Sequence, residues 1–472
     1  MKIKIVYPAW QRFQAGSLQW RIWLSGLLLL GSGILLWFPM DLFARFWTAL
    51  LLVLSWQKLI QSLGNYAEAL AEHGQREPAR KYLQFALKLS PRRADLWQTL
   101  GNVQADLDNW QAAQSAYEQA LKLRPEQIEA LNGLGFVALL SPTKANTGET
   151  AQRYFQRAYE LRRENRKYVI PAFSPLKLKH DLEQGQWLLK KGLLPDSFQR
   201  HYQALANWQE KLSQNQPLPD FIELPTDPAL EAIWGKNLVY DLPQVQREPV
   251  LQTLPATTDP LPQYWDNFLC PEALKALQTF CLNATIWHDG SRRAGYLAST
   301  LDDGFNSPLL YQIAEALKQA LPEWLGNQRL VYMWAFKCDS EGQGIALHND
   351  SAYLNLNFWI TPDDANLDPE TGGLLIYPQE PPPEWNFDEL RIDQAGIETW
   401  LAEHPQTPLR IPYRCNRAVL FHSRLFHASD AYRFKPGYAN RRVNITLLFG
   451  KKTLKYYPRP TLVPLSEALG EG

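Results

Sequence analysis

The run GIALHNDSAYLNLNFWITP, residues 344–362, decides the fold. From Tyr353 onward it is a β-type run, in which Tyr353, Asn355 and Asn357 share one face because side chains alternate along a strand. Working outward, LVYMWAF (330–336), GGLLIYP (372–378), RAVLFHS (417–423) and RRVNITLLFG (441–450) repeat this pattern between turn signals. Short strands in such series predict an antiparallel sandwich or barrel. Upstream, Ser307 followed by Pro308 suits an N-cap and first helical position, and Leu310, Ile313, Ala314, Leu317 and Leu321 then trace one apolar face. A supporting helix is expected there.

The chemistry sits at the edges of these runs. His348-Asn349-Asp350 opens one run, and His427 follows the RAVLF run. Two imidazoles and one carboxylate can occupy one face of a metal ion and leave the other open, the facial arrangement of non-haem iron sites. His348, Asp350 and His427 are therefore the expected metal-ligating and catalytic residues. His422 competes for the second histidine position, and the spacing from Phe421 favours His427. On the last run, an arginine can form a bidentate pair with a carboxylate; Arg442, in an R-x-N pattern with Asn444, is preferred, because Arg441 points to the opposite face. The His180-Asp181 and His288-Asp289 pairs read as surface or helix-end pairs. The acidic run from Asp363 to Glu370 lacks the order of a calcium loop and reads as solvated.

The stretch from about Tyr264 to Lys452 resembles the Fe(II)/2-oxoglutarate-dependent dioxygenase superfamily. The resemblance is carried by IALHNDSAYLNLNFWITPDDANLDPETGGLLIYP, PYRCNRAVLFHSRLFHASD and GYANRRVNITLLFG. It is similar to a bacterial branch found behind tetratricopeptide repeats. The resemblance implies a double-stranded β-helix, or jelly roll, with Fe(II) on His348, Asp350 and His427. It implies 2-oxoglutarate as co-substrate, with its far carboxylate on Arg442, and a turn at Gly372-Gly373 before a core strand. The family also supplies a Tyr or Asn near the co-substrate, for which Tyr353, Asn355 and Asn357 are candidates. A carboxylate at Asp350 implies hydroxylation or a related oxidation rather than halogenation.

Toward the N-terminus the character changes. Ile22–Phe38 carries no charge, and its length corresponds to about 26 Å of helix, near the thickness of a bilayer core. Phe43–Ile60 is a second apolar stretch, with Arg45 and Lys58 near its ends. Together they predict a transmembrane helical hairpin over residues 1–62. Lys2, Lys4, Arg12 and Arg21 precede it and Lys58 follows, so the positive-inside rule faces the remaining chain to the cytoplasm.

From Leu63 the chain is self-similar at an offset of 34 residues: Leu63 falls on Trp97, Tyr66 on Leu100, Ala67 on Gly101, Ala79 on Ala113, Leu83 on Tyr117, Ala86 on Ala120 and Pro91 on Pro125. A third copy reads Leu131, Leu134, Gly135, Ala151, Phe155 and Ala158. Small residues where helices cross and a proline after the second helix are what a helix-turn-helix unit requires. The pattern resembles the tetratricopeptide repeat, whose W-xx-LG is present as Trp97, Leu100 and Gly101, and implies an α-solenoid that receives a protein or peptide partner. The expected organisation is a hairpin anchor (1–62), a repeat solenoid with capping helices (63–213), a proline-rich connector (214–262), the oxygenase domain (263–455) and a tail (456–472).

Composition sets the bounds. The 472 residues exceed one hydrophobic core, and 48 Lys plus Arg balance 48 Asp plus Glu, leaving no basic field for nucleic acid. Four cysteines without CxxC spacing suggest neither a disulfide framework nor structural zinc. Two functions follow: an oxygenase acting on a protein or small molecule at the cytoplasmic face of a membrane, or a membrane-anchored repeat scaffold with a non-catalytic barrel.

Overall fold

The computed structural model describes residues 21–28, 30, 42–141, 147–164, 168–171, 175–199, 260–288, 295–381, 394–450 and 463–464, with short pieces between 203 and 254. Two compact units are formed, Met1–Val137 and Ala138–Gly472.

In the first unit, helices Leu42–Glu72 (α1), Arg76–Leu89 (α2), Ala94–Asp106 (α3) and Trp110–Leu123 (α4) follow one another through short turns, and the unit's boundary falls within Ile128–Leu140 (α5). Pro91 and Pro125 come just after α2 and α4, where a residue without an N–H cannot extend the helix. Ala67, Ala79, Ala86, Ala113 and Ala120 are fully buried, so the helices cross at their smallest side chains. At Gly101 an added Cβ would lie 2.5 Å from Tyr117 Cε1, which explains why the W-xx-LG position carries no side chain. The Tyr117 hydroxyl donates to Asn102 Oδ1 at 2.8 Å.

The membrane hairpin expected at residues 1–62 is overturned: no helix among the described residues is long and apolar enough to cross a membrane. Residues 31–38 of the first stretch lie outside the described residues. The second stretch is the front of α1, which runs on for 31 residues into the repeat. Ser55, Gln57, Lys58 and Gln61 interrupt its apolar character. From Ile60 onward, Leu63, Tyr66, Ala67 and Leu70 pack in one core with Leu83, Ala86, Leu96 and Leu100. The helix enters the repeat core only from Ile60, whereas Trp47, Leu51, Val53 and Leu54 before it are exposed. The membrane localisation, the membrane as partner and the cytoplasmic orientation fall with the hairpin, because the positive-inside rule needs a span to orient.

The second unit is built on strands Gln263–Trp265 (β1), Tyr296–Thr300 (β2), Leu330–Cys338 (β3), Glu341–Gly342 (β4), Leu354–Trp359 (β5), Leu374–Ile376 (β6), Leu409–Ile411 (β7), Ala418–His422 (β8), His427–Ser429 (β9), Tyr432–Arg433 (β10) and Val443–Phe449 (β11). The major sheet has the order β1-β8-β5-β11-β3-β2, and β9-β6-β7 form a smaller one. The pairs within both are antiparallel. Each β run read from the sequence contains one of these strands. The supporting helix is Pro308–Ala320, with Leu310, Ile313, Ala314 and Leu317 buried and proline in its first turn.

Helices Thr147–Glu164 (α6) and Pro175–Lys190 (α7) belong to this same unit and pack with its strands and loops. Ala151, Phe155 and Ala158 of α6 are fully buried. Arg163 Nη2 and Arg162 Nη1 reach Asp303 Oδ1 at 2.5 and 3.4 Å, just past β2. The Tyr159 hydroxyl meets His288 Nε2 at 2.9 Å. From α7, Glu183 accepts from Arg441 Nε at 2.7 Å, Lys179 pairs with Asp339 at 2.8 Å, and Gln184 donates to the Ala284 carbonyl at 2.9 Å. His180 and His288 are buried at 0% and 6% exposure, which overturns their reading as surface or helix-end residues. Burial holds both imidazoles well below the ordinary histidine range. The connector, residues 214–262, lies largely outside the described residues; within it Leu251 bridges Leu269.

Candidate metal centre

Strand alternation decides which side chains share the face of the major sheet that carries the site. In β5, Asn355, Asn357 and Trp359 share the inner face, and register sets Thr446 opposite Asn357, Asn444 opposite Trp359 and Phe421 opposite Asn355. Arg442 continues the Asn444-Thr446 face, one step before β11 begins. Arg441 takes the other face and meets α7.

His348 lies beside the start of β9 as an isolated antiparallel bridge to His427. Its amide donates to the His427 carbonyl at 3.0 Å, and the His427 amide donates back at 2.8 Å. The two imidazoles are thereby brought to 4.3 Å between ring centroids. Asp350 is fixed next to them, its amide donating to the Ser423 carbonyl at 3.1 Å and its Oδ2 lying 3.4 Å from His427 Nε2. One ligand atom from each of His348, Asp350 and His427 lies within 4.8 Å of the others. The bridge and the tight Asp350 turn bring together residues that the chain holds far apart.

Hydrogen bonds set which nitrogens face the centre. His348 Nδ1 lies 2.7 Å from the Ala346 carbonyl and His427 Nδ1 3.0 Å from the Leu425 carbonyl. A carbonyl only accepts, so each Nδ1 carries the proton and each Nε2 keeps its lone pair for a metal. Asp350 accepts a short bond from Asn355 Nδ2. That amide donor favours the charged carboxylate against the cost of its burial. Two neutral nitrogens and one carboxylate oxygen form a donor set that suits ferrous iron.

Asn355 belongs to a relay across three strand positions. Asn357 Nδ2 donates to Asn355 Oδ1 at 2.6 Å, and Thr446 Oγ1 and Asn444 Nδ2 donate to Asn357 Oδ1 at 2.8 and 3.1 Å. Asn355 is thus committed to Asp350. Tyr353, just before β5, is 46% exposed, with its ring 5.4 Å from His422. His422 lies outside the group formed by His348, Asp350 and His427.

Arg442 is fully buried. Its Nε donates to the Gly372 carbonyl at 2.7 Å, its Nη1 lies 3.8 Å from Cys338 Sγ, and its Nη2 has no protein partner. The Gly372-Gly373 turn is needed at this place: Gly372 has φ +81°, and a Cβ on Gly373 would collide with the Ile411 backbone carbonyl. A buried guanidinium N–H without a protein partner can take a carboxylate oxygen.

Sequence reasoning passed over the inner-face aromatics. Tyr332, Trp334 and Phe336 of β3 are half-buried while Val331, Met333, Ala335 and Lys337 on the other face are buried. The rings step along one side, with Trp334 6.0 Å from Phe336 and Phe336 4.6 Å from Tyr296. The signal was present in LVYMWAF, where three aromatics fall on one period-two face. Trp359, fully buried and 5.8 Å from the Arg442 guanidinium carbon, was also missed.

Residues 94–127 match the family model of the tetratricopeptide repeat. No curated protein matches the chain. Among solved structures it is similar to the MamA protein (17% identity, 36% of this chain and 86% of that one, TM-score 0.21). It is also similar to the non-heme alpha-ketoglutarate-dependent carbocyclase SnoK from nogalamycin biosynthesis (14% identity, 40% and 78%, TM-score 0.29). A further match is the non-heme alpha-ketoglutarate-dependent epimerase SnoN from the same biosynthesis (15% identity, 36% and 73%, TM-score 0.23).

Proposed function

We propose that this chain is an Fe(II)- and 2-oxoglutarate-dependent oxygenase that hydroxylates a protein or small-molecule substrate, with tetratricopeptide repeats recruiting a protein or peptide partner. The observation that carries this reading is the convergence of His348, Asp350 and His427, with both Nε2 lone pairs directed inward, in the same barrel as the uncommitted Arg442. Bound together, Fe(II) and 2-oxoglutarate would supply the oxidising power by coupling O2 reduction to loss of CO2 from the 2-oxo acid.

The chain's own residues supply placement. His348 and His427 present neutral nitrogens because backbone carbonyls hold their Nδ1 protons. Asn355 turns the Asp350 carboxylate and keeps one of its oxygens occupied. Arg442 neutralises the distal end of a dicarboxylate, and its own position is kept by the Gly372 carbonyl. Tyr332, Trp334 and Phe336 line the inner face with apolar surface that excludes water from a bound substrate.

The test is succinate formation by the purified full chain given Fe(II), 2-oxoglutarate, ascorbate and air. Slow succinate release without added substrate, abolished in the His348→Ala, Asp350→Ala double variant, is expected. No iron binding and no succinate with the native chain would leave a repeat protein with a non-catalytic barrel.

A further inference from the structure

We infer that the indole Nε1–H of Trp359 is a second donor to the distal carboxylate of the co-substrate, acting beside Arg442 as a positioning residue; the inference rests on the oxygenase reading above. Trp359 and Arg442 are both at 0% exposure, yet Trp359 Nε1 and Arg442 Nη2 have no hydrogen-bond partner. Fully buried N–H groups are nearly always paired, so two neighbouring donors left without acceptors mark a place where a ligand supplies them.

The surroundings narrow that ligand. Trp359 packs in an apolar cluster with Leu374, Ile376, Val419, Phe421 and Phe434. Strand register puts it on the inner face opposite Asn444, next to Arg442. The guanidinium is otherwise spoken for at Nε by Gly372. A carboxylate has two oxygens, one for Nη2 and one for the indole. A 2-oxo acid without a distal carboxylate leaves both donors dry. Trp359 thus selects a dicarboxylic co-substrate over a monocarboxylic one, and Trp359→Phe removes only the donor while keeping a large ring.

The full chain loaded with Zn(II), a diamagnetic stand-in for Fe(II), is titrated calorimetrically with 2-oxoglutarate and with pyruvate. The native chain should bind 2-oxoglutarate at least tenfold more tightly than pyruvate. Trp359→Phe should weaken 2-oxoglutarate about tenfold, as loss of one charge-assisted hydrogen bond does, and leave pyruvate unchanged. If the native chain binds 2-oxoglutarate and Trp359→Phe binds it equally well, the inference falls and the oxygenase reading stands. If Zn(II) binds but 2-oxoglutarate does not, the oxygenase reading itself falls. Should Trp359→Phe not fold, the native chain labelled with 15N at its indoles decides: one indole N–H resonance should move downfield with 2-oxoglutarate and stay with pyruvate, and no movement overturns the inference.

Discussion

His348 and His427 exchange both backbone hydrogen bonds of an antiparallel bridge, so the peptide groups, rather than the rings, hold the two imidazoles together. Truncating either ring should therefore remove a ligand without undoing the fold. His348→Ala is expected to weaken Fe(II) or Co(II) binding by at least about 100-fold while the melting temperature of the metal-free chain changes by less than about 2 °C. Metal titration and calorimetry read the two quantities. Stoichiometric binding by the variant at native affinity would remove His348 from the centre.

Asn355 should act on the metal through Asp350. Replacing it with leucine leaves the carboxylate without its buried amide donor, and the expected result is about 10- to 100-fold weaker metal affinity, as for other outer partners of ligating groups. Asn355→Asp should not restore it, because a second carboxylate repels the first. Native affinity in Asn355→Leu would show that Asp350 orients without help.

Gly373 is a steric requirement. Alanine there would drive a methyl into the Ile411 backbone carbonyl, between β6 and β7. Backbone cannot swing away as a side chain can, so the small sheet must shift, at a cost of about 2–3 kcal/mol. Chemical denaturation measures it, and a change within about 0.5 kcal/mol would mean that the strands separate freely.

Asp303 carries the charge that keeps Arg162 and Arg163 of α6 in the interior. Asp303→Asn removes the carboxylate that Arg162 and Arg163 share, and removing one partner of a buried ion pair typically costs about 3–5 kcal/mol. Hydrogen exchange should show the loss first in α6. A variant as stable as the native chain would mean that water already reaches these arginines.

The buried histidines give stability a pH dependence. His180 and His288 stay neutral in the folded protein but take up protons near pH 6.5 when unfolded, so stability is complete above that pH and declines as pH falls below it. Each contributes a slope of about 1.4 kcal/mol per pH unit. Burial alone would raise the Asp181 carboxyl, but Lys177 and His180 hold it at about 2, so its contribution is lost only as pH falls from 3.8 toward that value. Denaturation from pH 7 to 5 tests the histidines, and His288→Gln should lower the slope.

Residue type and spacing made the strands and the grouping of His348, Asp350 and His427 readable, because these three residues flank runs with a clear β period. The repeat was readable because Gly101 and Pro125 have steric reasons for their places. The membrane hairpin was misread because one helix carries two characters: Trp47, Leu51, Val53 and Leu54 raise the local hydropathy while exposed, and only from Ile60 does the helix enter the repeat core. The docking of α7 was illegible for the opposite reason: Lys179, Glu183 and Gln184 look like an ordinary solvated face, and only the fold supplies Asp339, Arg441 and Ala284 to meet them. Trp359 was hidden by its own abundance class, since one buried indole among 18 tryptophans carries no mark of what its nitrogen lacks.

The clasp between α6 and the residues following β2 has an evolutionary corollary. A gene duplication or swap that cut at the proline-rich stretch would deliver a barrel stripped of Arg162, Arg163 and Tyr159, with Asp303 and His288 facing water they are not built to meet. Inheritance of the strand-bearing unit as an independent piece would have to carry the helices from about residue 147 along with it, so lineages that exchange the repeat helices should break the chain upstream of that point.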